Sequence, residues 1–115
     1  MKKIADPYLQ DILDSVDKII EYLSATDYNR DSFQKDTEKQ DAVIRRLEII
    51  GEASKRLEDQ FKNEYPDIPW KKMSGMRDIL IHEYDRIDLD LVWKVSVEEL
   101  PSIRKSIRSV LESIE

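Results

Sequence analysis

The sequence predicts an all-α fold, an antiparallel helical bundle of four to five helices in a single domain over residues 1–115. Turn residues are scarce: 2 Gly and 4 Pro in 115 residues are too few for many short strands joined by turns. Apolar residues recur at three- and four-residue intervals over long stretches, the period of a helix with one buried face. Hydrophobic residues make up 40% and charged residues 38%, the balance of a folded helical domain rather than a disordered chain or a membrane protein.

The first helix is expected to start after Asp6, an N-cap with Pro7 at the first helical position, where its missing N–H costs nothing. Tyr8, Leu9, Ile12, Leu13, Val16, Ile19, Ile20 and Leu23 form its buried stripe, and the helix should end near Ser24–Asp27. Residues 28–36 read as a connection holding one helical turn, with Phe33 as its attachment to the core. A second long helix begins near Thr37, which has Gln40 three residues on and fits a capping box. Val43, Ile44, Leu47, Ile50, Ser54, Leu57 and Phe61 carry one face of it for about six turns. Gly51 costs roughly 1 kcal/mol against Ala inside a helix. With Ala53 and Ser54 it lets another helix approach closely, either within the monomer or across a dimer.

Tyr65-Pro66-Asp67-Ile68-Pro69-Trp70 is the clearest break, because each proline pushes its preceding residue toward extended backbone. A third helix follows from about Trp70 to about His82, with Met73, Met76, Ile79 and Leu80 on its apolar side. Asp85–Asp88 reads as a polar turn. Asp88 then caps a last helix running from Leu89 to Ile114, which Pro101 should kink or split. Helices joined by short connections imply antiparallel neighbours.

With no cysteine in the chain, disulfides, thiolate metal sites and cysteine nucleophiles are excluded. One histidine cannot build a zinc site that needs two. No stretch approaches the roughly 20 apolar residues of a membrane span, and the charged N-terminus meets Asp6 and Pro7 before any apolar run, so no membrane association and a cytoplasmic location are expected. Net charge is −6, which disfavours undirected binding to nucleic acid. The charge is uneven, however. Residues 1–70 carry net −5 and residues 71–115 only −1, so an anion contact belongs in the second part.

The informative segment is Met76-Arg77-Asp78-Ile79-Leu80-Ile81-His82-Glu83-Tyr84. A helix advances about 100° per residue, so Arg77 and Tyr84 lie within about 20° of each other while His82 sits about 140° from Arg77. The three converge only if the helix distorts or ends near Ile81–Glu83. Chemically the trio suits a phosphodiester: arginine offers a permanently charged fork to phosphate oxygens, and histidine exchanges a proton near neutral pH. RNA brings its own nucleophile in the 2′-OH, so cleavage needs a base, an acid and positive charge, but no metal or other cofactor. One histidine cannot fill both proton roles at once. A two-fold homodimer that brings two copies together can. The same residues also have structural readings: His82 bonded to a carbonyl or carboxylate at a helix end, Arg77 paired with Asp78 or Glu83, Tyr84 as a core ring with its hydroxyl at the surface.

Arg77-Asp78-Ile79-Leu80-Ile81-His82-Glu83-Tyr84 resembles the Arg-x4-His-x-Tyr motif of the HepT-like toxins, a branch of the HEPN superfamily of helical-bundle ribonucleases. Asp41 through Ala53 resembles that family's long-helix signature. Ile68-Pro69-Trp70-Lys71 resembles the break before its motif helix, and Val92-Trp93 with Leu100-Pro101 its closing helix. The resemblance runs from about Tyr8 to about Leu111. It implies a HEPN-like fold and a homodimeric, metal-independent endoribonuclease with Arg77 and His82 as catalytic residues and Asp78 as the supporting polar residue. It also implies an MNT-family nucleotidyltransferase antitoxin that transfers AMP from ATP onto Tyr84. Adenylylation would put bulk and negative phosphate beside Arg77 and repel the RNA backbone. Lys71, Lys72, Arg104, Lys105 and Arg108 flank the motif and are the candidate RNA contacts, with ordinary solvated surface as their other reading. The alternative function, motivated by the acidic charge and the single histidine, is a non-catalytic helical module that binds a nucleotidyltransferase or a nucleotide.

Overall fold

A computed structural model of the chain describes residues 2–82 and 88–114, with the side chains of 5–76, 78 and 88–114. In chain order the helices are α1 (Lys2–Ser24), α2 (Arg30–Gln34), α3 (Thr37–Arg56), α4 (Asp59–Asn63), α5 (Trp70–His82), α6 (Leu89–Lys94) and α7 (Leu100–Ile114), with a π-helical turn at Val95–Glu99 leading α6 into α7. Four are long and three are single-turn or two-turn pieces. No strand occurs among the described residues, as expected for an all-α HEPN-like bundle. The long α3 packs against both α1 and α5, α7 packs against α1, and α2 and α6 close over α3.

The core is made by the stripes that the apolar spacing predicts. Leu9, Ile12, Val16 and Ile19 of α1, Val43 and Ile50 of α3, Met73 of α5 and Ile107 of α7 are fully buried, each contributing about 1.5–3 kcal/mol by leaving water. Phe33 is fully buried as well and tilts against Trp93 at a centroid distance of 5.5 Å, so the single turn of α2 is fastened to α6. Asn29 caps α2, accepting from Ser32 N–H at 3.0 Å. Arg30 reaches Asp90 in an ion pair, and Gln34 donates to the same carboxylate at 2.8 Å. Among the described residues no helix is long and apolar enough to cross a membrane.

Three expectations need correction, and a fourth is met in a particular form. α1 starts at Lys2, with Pro7 inside it rather than at its first position. In the sixth position Pro7 forfeits a single backbone bond, and burial of Ala5 offsets that by giving the upstream turn an apolar contact. The N-cap of α3 is Asp36, whose side chain accepts from Lys39 N–H at 3.1 Å. Gln40 is therefore one position too far for a capping box and instead donates to the Phe33 and Gln34 carbonyls, both at 2.9 Å.

The helix from Thr37 does not run on to Phe61. Leu57 and Glu58 are extended, with ψ of 138° and 145°, and α4 starts afresh. Both Leu57 and Phe61 are still buried, so the kink keeps the apolar stripe while turning the chain, and Lys62 Nζ donates to the Ser54 carbonyl at 3.3 Å. At Pro101, finally, the last helix is divided as expected, into α6 and α7, by a π-helical turn rather than a loop. The π-helical turn precedes it, with Leu100 N–H bonded to the Val95 carbonyl five residues back, and the inserted residue accommodates the ring and its missing donor.

Elsewhere the reading holds. α1 ends at Ser24, and the turn after it carries left-handed Asp27 and Tyr28, with φ of 56° and 52°. Asp88 caps α6, accepting from Asp90 and Leu91 N–H at 3.0 and 3.2 Å. Gly51, Ala53 and Ser54 are buried on the helix that packs against both α1 and α5. The expected polar turn before Asp88 lies outside the described residues.

Candidate functional site

The motif helix α5 is held at both ends. At its start, Ile68 and Trp70 are buried, and Trp70 Nε1 donates to the Tyr65 carbonyl at 3.0 Å. Phe61 packs on Tyr65 and Trp70 at centroid distances of 5.1 and 6.3 Å. This aromatic group fixes the two-proline break, and so the point where α5 begins. Lys72 in the first turn forms an ion pair with Glu99 of the π-helical turn. Toward the other end, Lys55 Nζ donates to Asp78 Oδ1 at 2.6 Å, tying α5 to α3.

Of the site residues read from the sequence, Arg77, Asp78 and His82 all stand on α5. The side chains of Arg77 and His82, and all of Tyr84, lie outside the described residues. The helix is α-helical as far as His82. Position 77 therefore follows buried Trp70 by seven residues and buried Met73 by four, which places it on the apolar stripe of α5. Position 82 follows Asp78 by four and Lys71 by eleven, a stripe that passes over Gly75, where an added Cβ would meet nothing within 4 Å. Positions 77 and 82 are thus about 140° apart around one helix and roughly 7.5 Å apart along it.

The five basic candidates fall into two sets. Lys72 is bound to Glu99, and Arg104 Nε donates to Asp17 of α1 at 2.6 Å. Lys71, Lys105 and Arg108 are exposed and form no ion pair with other described residues. Lys71 and Lys72 line one open groove with Lys62, Trp70 and Ser74, about 890 Å³ in volume. Lys105 lines a smaller one of about 370 Å³ with Tyr65 and Ser109. Pro66 and Ile68 border both, so the two-proline segment is the ridge between them.

Lys55 and Glu99, the charged partners that position α5, carry no signal in the sequence, since they stand 23 and 27 residues from the groups they hold.

A family model described as Ribonuclease HepT-like matches residues 12–110. A protein of Methanocaldococcus jannaschii named "Putative RNase" is 43% identical over 109 residues, covering 95% of this chain and 98% of that one. One of Thermococcus cleftensis named "Probable ribonuclease HepT" is 42% identical over 104 residues, 90% of this chain and 93% of that one. A further relative named as an RNase, from Caldanaerobacter subterraneus subsp. tengcongensis, is 36% identical over 110 residues, 96% of each chain. No solved structure matches the chain significantly.

Proposed function

Because this chain belongs to the HepT-like ribonuclease family, we propose that it is the toxin of a HEPN/MNT toxin–antitoxin pair, a cytoplasmic, metal-independent endoribonuclease that works as a homodimer. Arg77 and His82 are its catalytic residues and Asp78 supports them. The 2′-OH of the RNA attacks the adjacent phosphorus. One His82 takes the hydroxyl proton, the O5′ bond breaks, and the His82 of the second copy protonates the departing 5′-oxygen. The products are a 2′,3′-cyclic phosphate and a 5′-hydroxyl, with no water consumed. Arg77 neutralises charge on the non-bridging oxygens, where a fixed guanidinium is worth most in the transition state.

The observation that carries this reading is the placement of Arg77 and His82 on one regular helix, inside the matched region. The single histidine of the chain is what makes a second copy necessary, and the wide angle between positions 77 and 82 favours a site composed from two helices over one built on a single α5. Tyr84, two residues beyond His82, is close enough in the chain for an added adenylate to fill the same cleft. We propose that a nucleotidyltransferase antitoxin places it there and so silences the enzyme.

The test is His82→Ala. The variant is expected to keep its helicity and its dimer while losing both cleavage of total RNA and growth inhibition. A folded His82→Ala protein as toxic as the parent would overturn the assignment and leave a non-catalytic partner-binding module in its place.

A further inference from the structure

The groove at the start of α5 stands apart from the Arg77–His82 positions, and its chemistry is unusual for this molecule. In a chain of net charge −6, its lining holds Lys62, Lys71 and Lys72 against a single carboxylate, Asp59. Two of the three ammonium groups are already held in place. Lys62 Nζ lies 3.3 Å from the Ser54 carbonyl and 3.7 Å from Asp59, and Lys72 is paired with Glu99. Lys71 is exposed and forms no ion pair with other described residues. Around these charges the wall is apolar, formed by Pro66, Ile68 and Pro69. A deep, closed anion pocket would surround its ligand with donors. An open groove with cations along it and an apolar wall suits a strand that alternates phosphate with sugar and base.

The register of α5 connects this groove to the catalytic positions. Lys71 and position 82 lie on the same stripe, within about 20° around the helix and roughly 16 Å apart along it. A strand laid along that stripe passes from one to the other over Gly75 and beside Asp78, whose carboxylate Lys55 partly neutralises.

We propose that the groove lined by Lys62, Lys71 and Lys72 is a second RNA-backbone site, which holds substrate phosphates several nucleotides away from the linkage that is cut. This rests on the ribonuclease reading and adds where the rest of the substrate lies. Counterion release gives it a measurable signature, since each phosphate neutralised on a single strand contributes about 0.7 to the slope of log affinity against log salt.

The experiment uses the full-length protein carrying His82→Ala, with a fluorescein-labelled 20-nucleotide oligouridine and the dinucleotide UpU as probes. In that background Lys71→Gln with Lys72→Gln is expected to weaken 20-mer binding about tenfold near physiological salt and to lower the salt slope by about 1.4. Lys71→Arg should bind like the parent, and UpU binding should not respond to either change. Lysine variants that remain folded by circular dichroism and bind the 20-mer with the parent's affinity and slope would overturn the groove site. So would a parent that does not bind the 20-mer. Neither result touches the ribonuclease reading, which is decided separately by cleavage of total RNA by the wild-type protein.

Discussion

Lys55 and Asp78 meet across the α3–α5 boundary with an N–O distance of 2.6 Å. The pair joins the helix that forms the middle of the bundle to the helix that carries Arg77 and His82, at the residue directly after Arg77. Both side chains are more than 40% exposed, so the contact is worth under about 1 kcal/mol and is weakened by salt. Lys55→Ala is therefore expected to lower unfolding stability in urea by less than about 1 kcal/mol at low ionic strength, and by an unmeasurable amount at about 1 M salt. A loss well above that range, or one insensitive to salt, would mean that the pair does more than align two surfaces.

The seating of α2 is a different kind of contact. Phe33 is fully buried and packs on Trp93, so Phe33→Ala removes a large side chain that the surrounding helices cannot close over. The expected cost is about 3–5 kcal/mol, read by chemical denaturation, with a change in Trp93 fluorescence because its ring neighbour is gone. A cost under about 1 kcal/mol would show that the α2 segment is only loosely attached.

The cap of α3 separates two adjacent polar residues. Asp36 accepts from Lys39 N–H, whereas Thr37 is the first residue of the helix proper. Asp36→Ala is expected to cost about 1 kcal/mol, whereas Thr37→Ala is expected to be neutral or to gain a few tenths, because Ala is the better helix former. The reverse order in thermal or urea unfolding would restore the capping box read from Thr37 and Gln40.

That example shows where the sequence is legible and where it is not. Thr37 and Gln40 have capping-box spacing, and Asp36 stands one residue earlier with equally suitable chemistry; the apolar period cannot choose a frame to within one residue. The kink at Leu57 was hidden for a related reason, since Leu57 and Phe61 continue the stripe of α3 and are buried in either geometry. By contrast, Phe33 in a polar stretch and Asp88 before Leu89 could each do only one thing, and both do it. Pro101 announced a disturbance of the last helix, but its form, a π-helical turn at Val95–Glu99, depends on how α6 and α7 are each held. At the candidate site the Arg77–His82 spacing and the helix that bears it are readable from the chain. The pairing of Asp78 with Lys55 and of Lys72 with Glu99 is not, because a surface charge has no periodicity that points to its partner.

In the proposed mechanism one scissile linkage needs both copies of His82. That requirement is tested most directly with a purified heterodimer, one subunit wild type and the other His82→Ala, each carrying a different affinity tag, assayed for RNA cleavage against the two homodimers. The mixed dimer is expected to be as inactive as the His82→Ala homodimer, since the shared cleft then lacks either its base or its acid. A mixed dimer with half of the wild-type activity, or a wild-type protein that cleaves RNA as a monomer by light scattering, would contradict it.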